Sequence, residues 1–293
     1  MPKGQIVKAL SGFYYIESEG IVYQTRGRGV FRKKKITPLV GDYVEFDTTS
    51  LTDGTVTKIL PRKNDLVRPP VANVDCAVIV MSAIEPDFST YLVDRFLIYL
   101  ELKDIRPIIY ISKMDLVDEQ QMADIKACAT AYEALGYRVY LSHEFEQEAF
   151  LADLSDELVV FMGQSGVGKS TLINHFIPEL SLETAEISSH LGRGRHTTRH
   201  VALHKVKDVL IADTPGFSTL DLIDIDKENL PYLFPEFANR AHLCKFRECS
   251  HQHEPKCAVK DALENGEIAQ FRYDHYTSFL EEIEQTKPKY NKK

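Results

Sequence analysis

One stretch constrains the fold more than any other: Gly163-Gln164-Ser165-Gly166-Val167-Gly168-Lys169-Ser170. A glycine, four residues, then Gly-Lys-Ser/Thr is the pattern of a loop that cradles phosphates. It follows the apolar run Leu158-Val159-Val160-Phe161-Met162, which reads as a buried strand. It precedes Thr171-Leu172-Ile173-Asn174-His175-Phe176, which reads as the start of a helix. That strand–loop–helix order is what the chemistry needs, because N–H groups of a glycine-rich turn and a helix N-terminus converge on anionic oxygens. Lys169 would reach the β- and γ-phosphates, and Ser170 would place its hydroxyl on Mg²⁺. An ordinary glycine turn is the competing reading, but a match of this kind arises by chance in about 1% of chains this long.

At 293 residues the chain has room for two or three domains. No apolar run approaches the roughly 20 residues of a membrane span, and the N-terminus Met1-Pro2-Lys3-Gly4-Gln5 lacks the apolar core of a signal peptide. Five cysteines do not make a disulfide framework in a chain this long, so a reducing cytoplasm is expected. A net charge of −8 argues against indiscriminate coating of nucleic acid and leaves room for a local basic face.

Such a face lies near the N-terminus. The first 65 residues carry eleven Lys and Arg against seven Asp and Glu, most of the excess between Arg26 and Lys35. Their short apolar runs, with turn signals at Glu19-Gly20 and Asp53-Gly54, predict a small β-barrel of the oligonucleotide-binding (OB) type. The functional reading is contact with an RNA backbone, with Phe31 or a nearby Tyr stacking on bases. The alternative is a solvated loop that keeps the domain soluble. Pro61, Pro69 and Pro70 predict a short stiff linker. From Val74 strands and helices alternate, which predicts a parallel sheet with ligand loops at the strand C-termini. Helices are expected at Tyr91–Leu102, Gln120–Leu135 and Glu144–Leu154.

Two further loops fit a nucleotide. Asp213-Thr214-Pro215-Gly216 follows an apolar strand, where Asp213 can hold Mg²⁺ through water and the Gly216 N–H can face a γ-phosphate. Ser112-Lys113-Met114-Asp115 ends another strand. A carboxylate at Asp115 would accept from N1–H and the 2-amino group of guanine, a donor pair adenine lacks. Lys113 would lie along the base, and Ser142 in the next strand-end loop would offer a backbone N–H. Leu191 to His200 is polar and glycine-rich, as a switch or a basic RNA-touching loop would be.

Cys244, Cys249, His251 and Cys257 form C-x4-C-x-H-x5-C, a donor set suited to one structural Zn²⁺. His242 and His253 are rival nitrogen ligands. Cys76 and Cys128 read as buried, non-functional thiols. Ala258 to Gln285 reads as largely helical, and residues 287–293 as a basic tail.

The base-reading loop precedes the phosphate loop, which precedes both switches. This order is rotated relative to ordinary small GTPases. It resembles the circularly permuted GTPases, specifically the bacterial ribosome-small-subunit-dependent GTPase family of late subunit assembly. The resemblance covers essentially the whole chain. It implies an OB-like barrel at 1–66, a permuted α/β P-loop GTPase domain at 67–222 and a zinc-binding, mainly helical domain at 223–293. It implies GTP as substrate, Mg²⁺ held by Ser170, Asp213 and Thr198 (Thr197 second), and His251 as the fourth zinc ligand. The implied partner is the small ribosomal subunit with its 16S-type rRNA, bound by a monomer with no membrane contact. Ser112 stands where many GTPases have Asn, and His143 where Lys is common. Phe217 stands where many have a water-orienting Gln, so slow intrinsic hydrolysis, stimulated by the subunit, is expected, with His196 serving instead. Two alternatives are a P-loop ATPase or small-molecule kinase, and an RNA-binding scaffold with a vestigial nucleotide site.

Overall fold

The structure, a computed structural model, describes residues 1–33, 36–178, 201–213, 222 and 225–285. His196, Thr197, Thr198, Gly216 and Phe217 lie outside these residues, as do the loop 191–200 and the tail 287–293.

In chain order, the first five strands are β1 (Lys3–Leu10), β2 (Phe13–Ser18), β3 (Ile21–Gly27), β4 (Tyr43–Ser50) and β5 (Asp53–Ile59), with a short helix α1 (Gly29–Lys33) after β3. A hairpin of β6 (Asp65–Leu66) and β7 (Val71–Ala72) leads into β8 (Cys76–Ser82), α2 (Thr90–Leu102), β9 (Arg106–Ser112), α3 (Glu119–Ala134) and β10 (Arg138–Leu141). Then come α4 (Gln147–Asp153), β11 (Leu158–Met162), α5 (Lys169–Phe176), β12 (Ala202–Val206) and β13 (Val209–Asp213). Helices α6 (Pro235–Ala241), α7 (Ala258–Glu264) and α8 (Gln270–Gln285) complete the described chain.

These elements form two compact units. The first holds Met1–Val80 and Glu144–Ser218. Its N-terminal strands close on themselves: β1 pairs with β2 and β4, β3 with β2 and β5, and β4 with β5. Alternation in each strand turns Ile6, Ile16, Val44, Phe46 and Val56 inward, all fully buried. The tight barrel leaves no room for a side chain at Gly54, where a Cβ would lie 2.7 Å from Thr25 Cγ2. Phe31 is turned into this unit and only 9% exposed, so it is not the stacking aromatic expected from sequence. Tyr43 on β4 is half-exposed instead, and the Arg26 guanidinium lies 4.7 Å from the Phe13 ring centroid.

The prolines at 61–70 are not a linker. Leu66, Val71 and Ala72 are buried, and Arg62 ties the segment back to the barrel through Asp42 and the Thr37 carbonyl. Strand β1 also pairs with β12, register Lys8↔Ala202, so the barrel is continuous with the strands that carry the phosphate loop. Beyond β12 the order is β13, β11 and β8, the last three parallel. Phe150 of α4 stacks on Phe176 of α5 with ring centroids 5.5 Å apart, which fixes both helices against Phe161 of β11. Cys76 is buried as expected, whereas Cys128 on α3 is only half-buried.

The second unit holds Met81–His143 and Thr219–Lys293. Parallel β9 and β10 run in register Ile111↔Leu141, so both strands end level. Helix α3 starts with a capping box, Asp118 against Gln121, and is followed by Gly136 at φ +93°. In the first unit, helix α4 is shorter than expected because residues 142–144 form a 3-10 turn first. The helical C-terminal segment is split at Asn265-Gly266, and its core gathers Phe234, Phe237, Val259, Ile268, Tyr276 and Phe279 against Ile98 of α2.

Candidate functional site

The phosphate loop is built by glycine. Gly163, Gly166 and Gly168 have φ of +143°, +84° and +91°, a region that L side chains rarely adopt. At Gly163 a Cβ would lie 2.1 Å from the Val80 carbonyl oxygen of the neighbouring strand. Gly168 caps α5 with no side-chain hydrogen bond, so the first-turn N–H groups keep their donor capacity for an anion. Lys169 Nζ donates to the Gly163 carbonyl at 2.7 Å and to that of Gln164. Burial lowers the lysine's pKa, since desolvation penalises its charge. Ser165, Ser170 and Thr171 are exposed, while Val167 is buried and anchors the loop.

Asp213 ends β13, which runs parallel to β11 in register Val160↔Ala212. That register puts Asp213 level with Phe161, at the edge from which Gly163 leaves the sheet. The sequence places these two loops 50 residues apart, and the parallel pairing brings them together.

In the second unit Ser112 is buried, and its hydroxyl donates to the Met81 carbonyl at 3.1 Å. It ties the end of β9 to β8. Lys113 takes φ +57°, and its amine donates to the carbonyls of Ile84 (3.2 Å) and Glu85. The Met114 N–H donates to Ser142 Oγ at 3.1 Å, so the Ser142 side chain braces the 112–115 loop. Asp115 sits exposed in the 3-10 turn Met114–Leu116 that this bracing holds. His143 is exposed one residue beyond Ser142.

The cysteine cluster forms as its spacing implied. The ligand atoms of Cys244, Cys249, His251 and Cys257 all lie within 4.8 Å of one another. His251 points Nδ1 at the sulfurs, 3.3 Å from Cys257 and 3.7 Å from Cys244. Three thiols and one imidazole suit tetrahedral zinc. Burial pushes the Cys249 thiol up to about 12 and the His251 imidazole down, so the thiolates need a cation beside them and the imidazole is neutral, as a ligand must be. His242 and His253 are both exposed and stand outside the cluster.

Sequence reasoning missed what holds this loop. Glu254 accepts from the Ser250 N–H (2.6 Å) and hydroxyl (2.8 Å) and from the N–H groups of Gln252 and His253 (both 3.1 Å). Partial burial disfavours its charge, but these bonds outweigh that and hold its pKa at about 2. From α8, Tyr273 donates to the His251 carbonyl and Tyr276 to that of Ser250, each at 2.7 Å. A lone Glu in a loop gives no sequence signal of this kind.

The profile of the RsgA GTPase family matches residues 59–223, and that of the RsgA N-terminal domain residues 3–56. The chain belongs to the RsgA GTPase family. Among its relatives, a small ribosomal subunit biogenesis GTPase RsgA from Geobacillus sp. is 56% identical, covering 99% of this chain and 100% of its own. The Bacillus subtilis protein of that name is 54% identical with the same coverage. The crystal structure of YloQ, a circularly permuted GTPase, superposes with a TM-score of 0.84 at 49% identity over 99% of this chain and 97% of that one. YjeQ from Thermotoga maritima gives 0.82 at 33% identity over 97% and 99%.

As an RsgA-family GTPase the protein is a GTP hydrolase with permuted motif order. The OB-like barrel, P-loop domain and cysteine–histidine cluster agree with the fold expected from sequence. No helix among the described residues is long and apolar enough to cross a membrane.

Proposed function

We propose that the protein binds the maturing small ribosomal subunit in its GTP form, acts late in that subunit's assembly, and leaves after hydrolysis. The observation that supports this best is a built phosphate loop with Asp213 on the adjacent parallel strand, in a chain matched end to end by proteins named small ribosomal subunit biogenesis GTPases. The basic β3–α1 region of the barrel supplies the contact to 16S-type rRNA, with Tyr43 as the available stacking ring. The protein acts in the cytoplasm as a monomer.

Backbone N–H groups of Gly163 to Thr171 hold the β- and γ-phosphates, and Lys169 exchanges its carbonyl partners for phosphate oxygens. Mg²⁺, bound by Ser170, Asp213 and Thr198, would neutralise charge developing on the transferred phosphoryl group. Asp115 reads guanine through N1–H and the 2-amino group, on a loop fixed by Ser112, Lys113 and Ser142. Gly216 would serve the γ-phosphate through its N–H and His196 the attacking water, as the motif order implies. Zn²⁺ held by Cys244, Cys249, His251 and Cys257 would fix the loop that carries them.

Hydrolysis measured with and without small subunits tests this reading. Wild type should be slow alone and faster with subunits. Lys169→Ala should abolish both rates, and His196→Ala should remove the stimulated rate while leaving GTP binding intact. Fast turnover alone, with no gain from subunits, would contradict the proposal. So would equal subunit affinity with GDP and a non-hydrolysable GTP analogue.

A further inference from the structure

The second unit contains a fully buried ionic cluster that no nucleotide motif requires. Arg272 on α8 is 1% exposed. Its guanidinium donates to Asp94 on α2 at 2.5 Å and, through two nitrogens, to Glu236 on α6 at 2.7 and 3.1 Å. Its carbon lies 4.6 Å from the centroid of the Phe234 ring. Asp94 is itself completely buried, receives the Tyr132 hydroxyl at 2.7 Å, and has His275 Nδ1 at 2.6 Å from its other oxygen. Burial works against charge on Arg272, but Asp94 and Glu236 outweigh it and keep the group charged.

Stability alone does not call for this arrangement, since well-packed apolar residues serve a buried helix seam as well or better. A satisfied ionic cluster can instead fix a single docking geometry. Its position gives that geometry a use. At one end, α8 grips the zinc-ligand loop through Tyr273 and Tyr276, which bond the His251 and Ser250 carbonyls. At the other, α2 follows directly on the turn whose Ile84 and Glu85 carbonyls hold the Lys113 amine beside Asp115. Helix α3, which supplies Tyr132, begins three residues after Asp115 with its Asp118 cap. The helices that flank the base-reading loop, α2 after the Ile84–Glu85 turn and α3 after Asp115, are therefore both held, through Asp94, to the helix that holds the zinc-ligand loop.

We propose that Arg272, acting through Asp94, is a positioning residue for guanine recognition: it couples the zinc-ligand loop to the base-reading loop, so that occupancy of one site sets the affinity of the other. The inference rests on the assignment of Asp115 as the guanine contact. By reciprocity, guanine nucleotide must tighten the metal site by the same factor.

The readout is the ratio of GDP to inosine diphosphate affinity, because inosine lacks the 2-amino group that Asp115 reads. Titrations compare zinc-loaded wild type, wild type stripped by a chelator, and Arg272→Met in both states. Stripping should lower the ratio about fivefold or more in wild type. Loaded Arg272→Met should show the same loss, and stripping it should add little, because the two changes act through one link. A general loss of stability would weaken both nucleotides alike and leave the ratio where it was.

An unchanged ratio in loaded Arg272→Met overturns the inference, as do additive losses. If Arg272→Met does not fold, the stripped wild type decides: an unchanged ratio there overturns the coupling. Asp115→Ala separates the two claims. If it leaves the ratio unchanged, the guanine assignment fails and takes the inference with it. If it lowers the ratio while Arg272→Met does not, only the coupling fails.

Discussion

Arg62 holds Asp42 by two hydrogen bonds, Nε to Oδ1 at 2.7 Å and Nη2 to Oδ2 at 2.8 Å, although 20 residues separate them. Asp42 is completely buried and also accepts the Leu39 N–H at 2.7 Å. The same guanidinium reaches Asp65 and the Thr37 carbonyl, so one side chain pins the proline-rich segment to the barrel. Arg62→Ala leaves a buried carboxylate without its counter-charge and should cost about 3 kcal/mol. Urea unfolding followed by fluorescence should show a lower midpoint with an unchanged slope. A shift below about 0.5 kcal/mol would mean that Asp42 is solvated in solution.

Lys169 is expected to link nucleotide binding to alkaline pH. Burial lowers its pKa in the protein, whereas phosphate oxygens favour the ammonium form. Nucleotide binding therefore takes up a proton once pH reaches the lowered value, and affinity should fall as pH rises through it. Calorimetric titration of GDP in buffers of different ionisation enthalpy measures the uptake directly. Lys169→Met should abolish that uptake, and hydrolysis should drop by about 10²-fold or more.

Phe31 and Tyr43 are expected to separate stability from RNA contact. Phe31 is buried, so Phe31→Ala should destabilise the first unit by about 3 kcal/mol. Tyr43 is 50% exposed, so Tyr43→Ala should leave stability within about 0.5 kcal/mol and weaken rRNA binding by about 1 to 2 kcal/mol. Thermal melts and filter binding on the same two proteins give the answer. The reverse pattern would show that the barrel presents another face.

Glu254 should give the cysteine–histidine loop an acid-sensitive component. Its pKa is depressed from 4.5 to about 2 in the folded chain. A depressed carboxyl pKa means stabilisation that is complete above the unfolded value and lost as pH falls through the folded one. The stability difference between wild type and Glu254→Gln should thus be constant above pH 5 and shrink as pH falls from about 4.5 towards 2. Zinc affinity of Glu254→Gln at neutral pH should fall by about 10-fold, measured by chelator competition. A pH-independent difference would assign Glu254 a packing role only.

What the sequence determined by itself was local. Glycines at 163, 166 and 168, a lysine and a serine in fixed order specify a phosphate loop, because positive φ and a helix start depend on neighbouring residues. The cysteine spacing likewise specifies a four-ligand cluster, and short apolar runs between turn signals specify a small barrel. The tertiary structure decided what those pieces are joined to. Chain order puts β9 and β10 soon after the barrel, yet β1 pairs with β12 and the barrel belongs to the unit that carries the 163–170 loop. Chain order attaches the cysteine–histidine segment to β13, yet Arg272, 178 residues from Asp94, seats it on α2. Partners so distant in sequence leave no periodicity to read. A buried charge such as Asp94 among Val93, Phe96 and Leu97 shows only that a partner must exist, and packing alone selects which one.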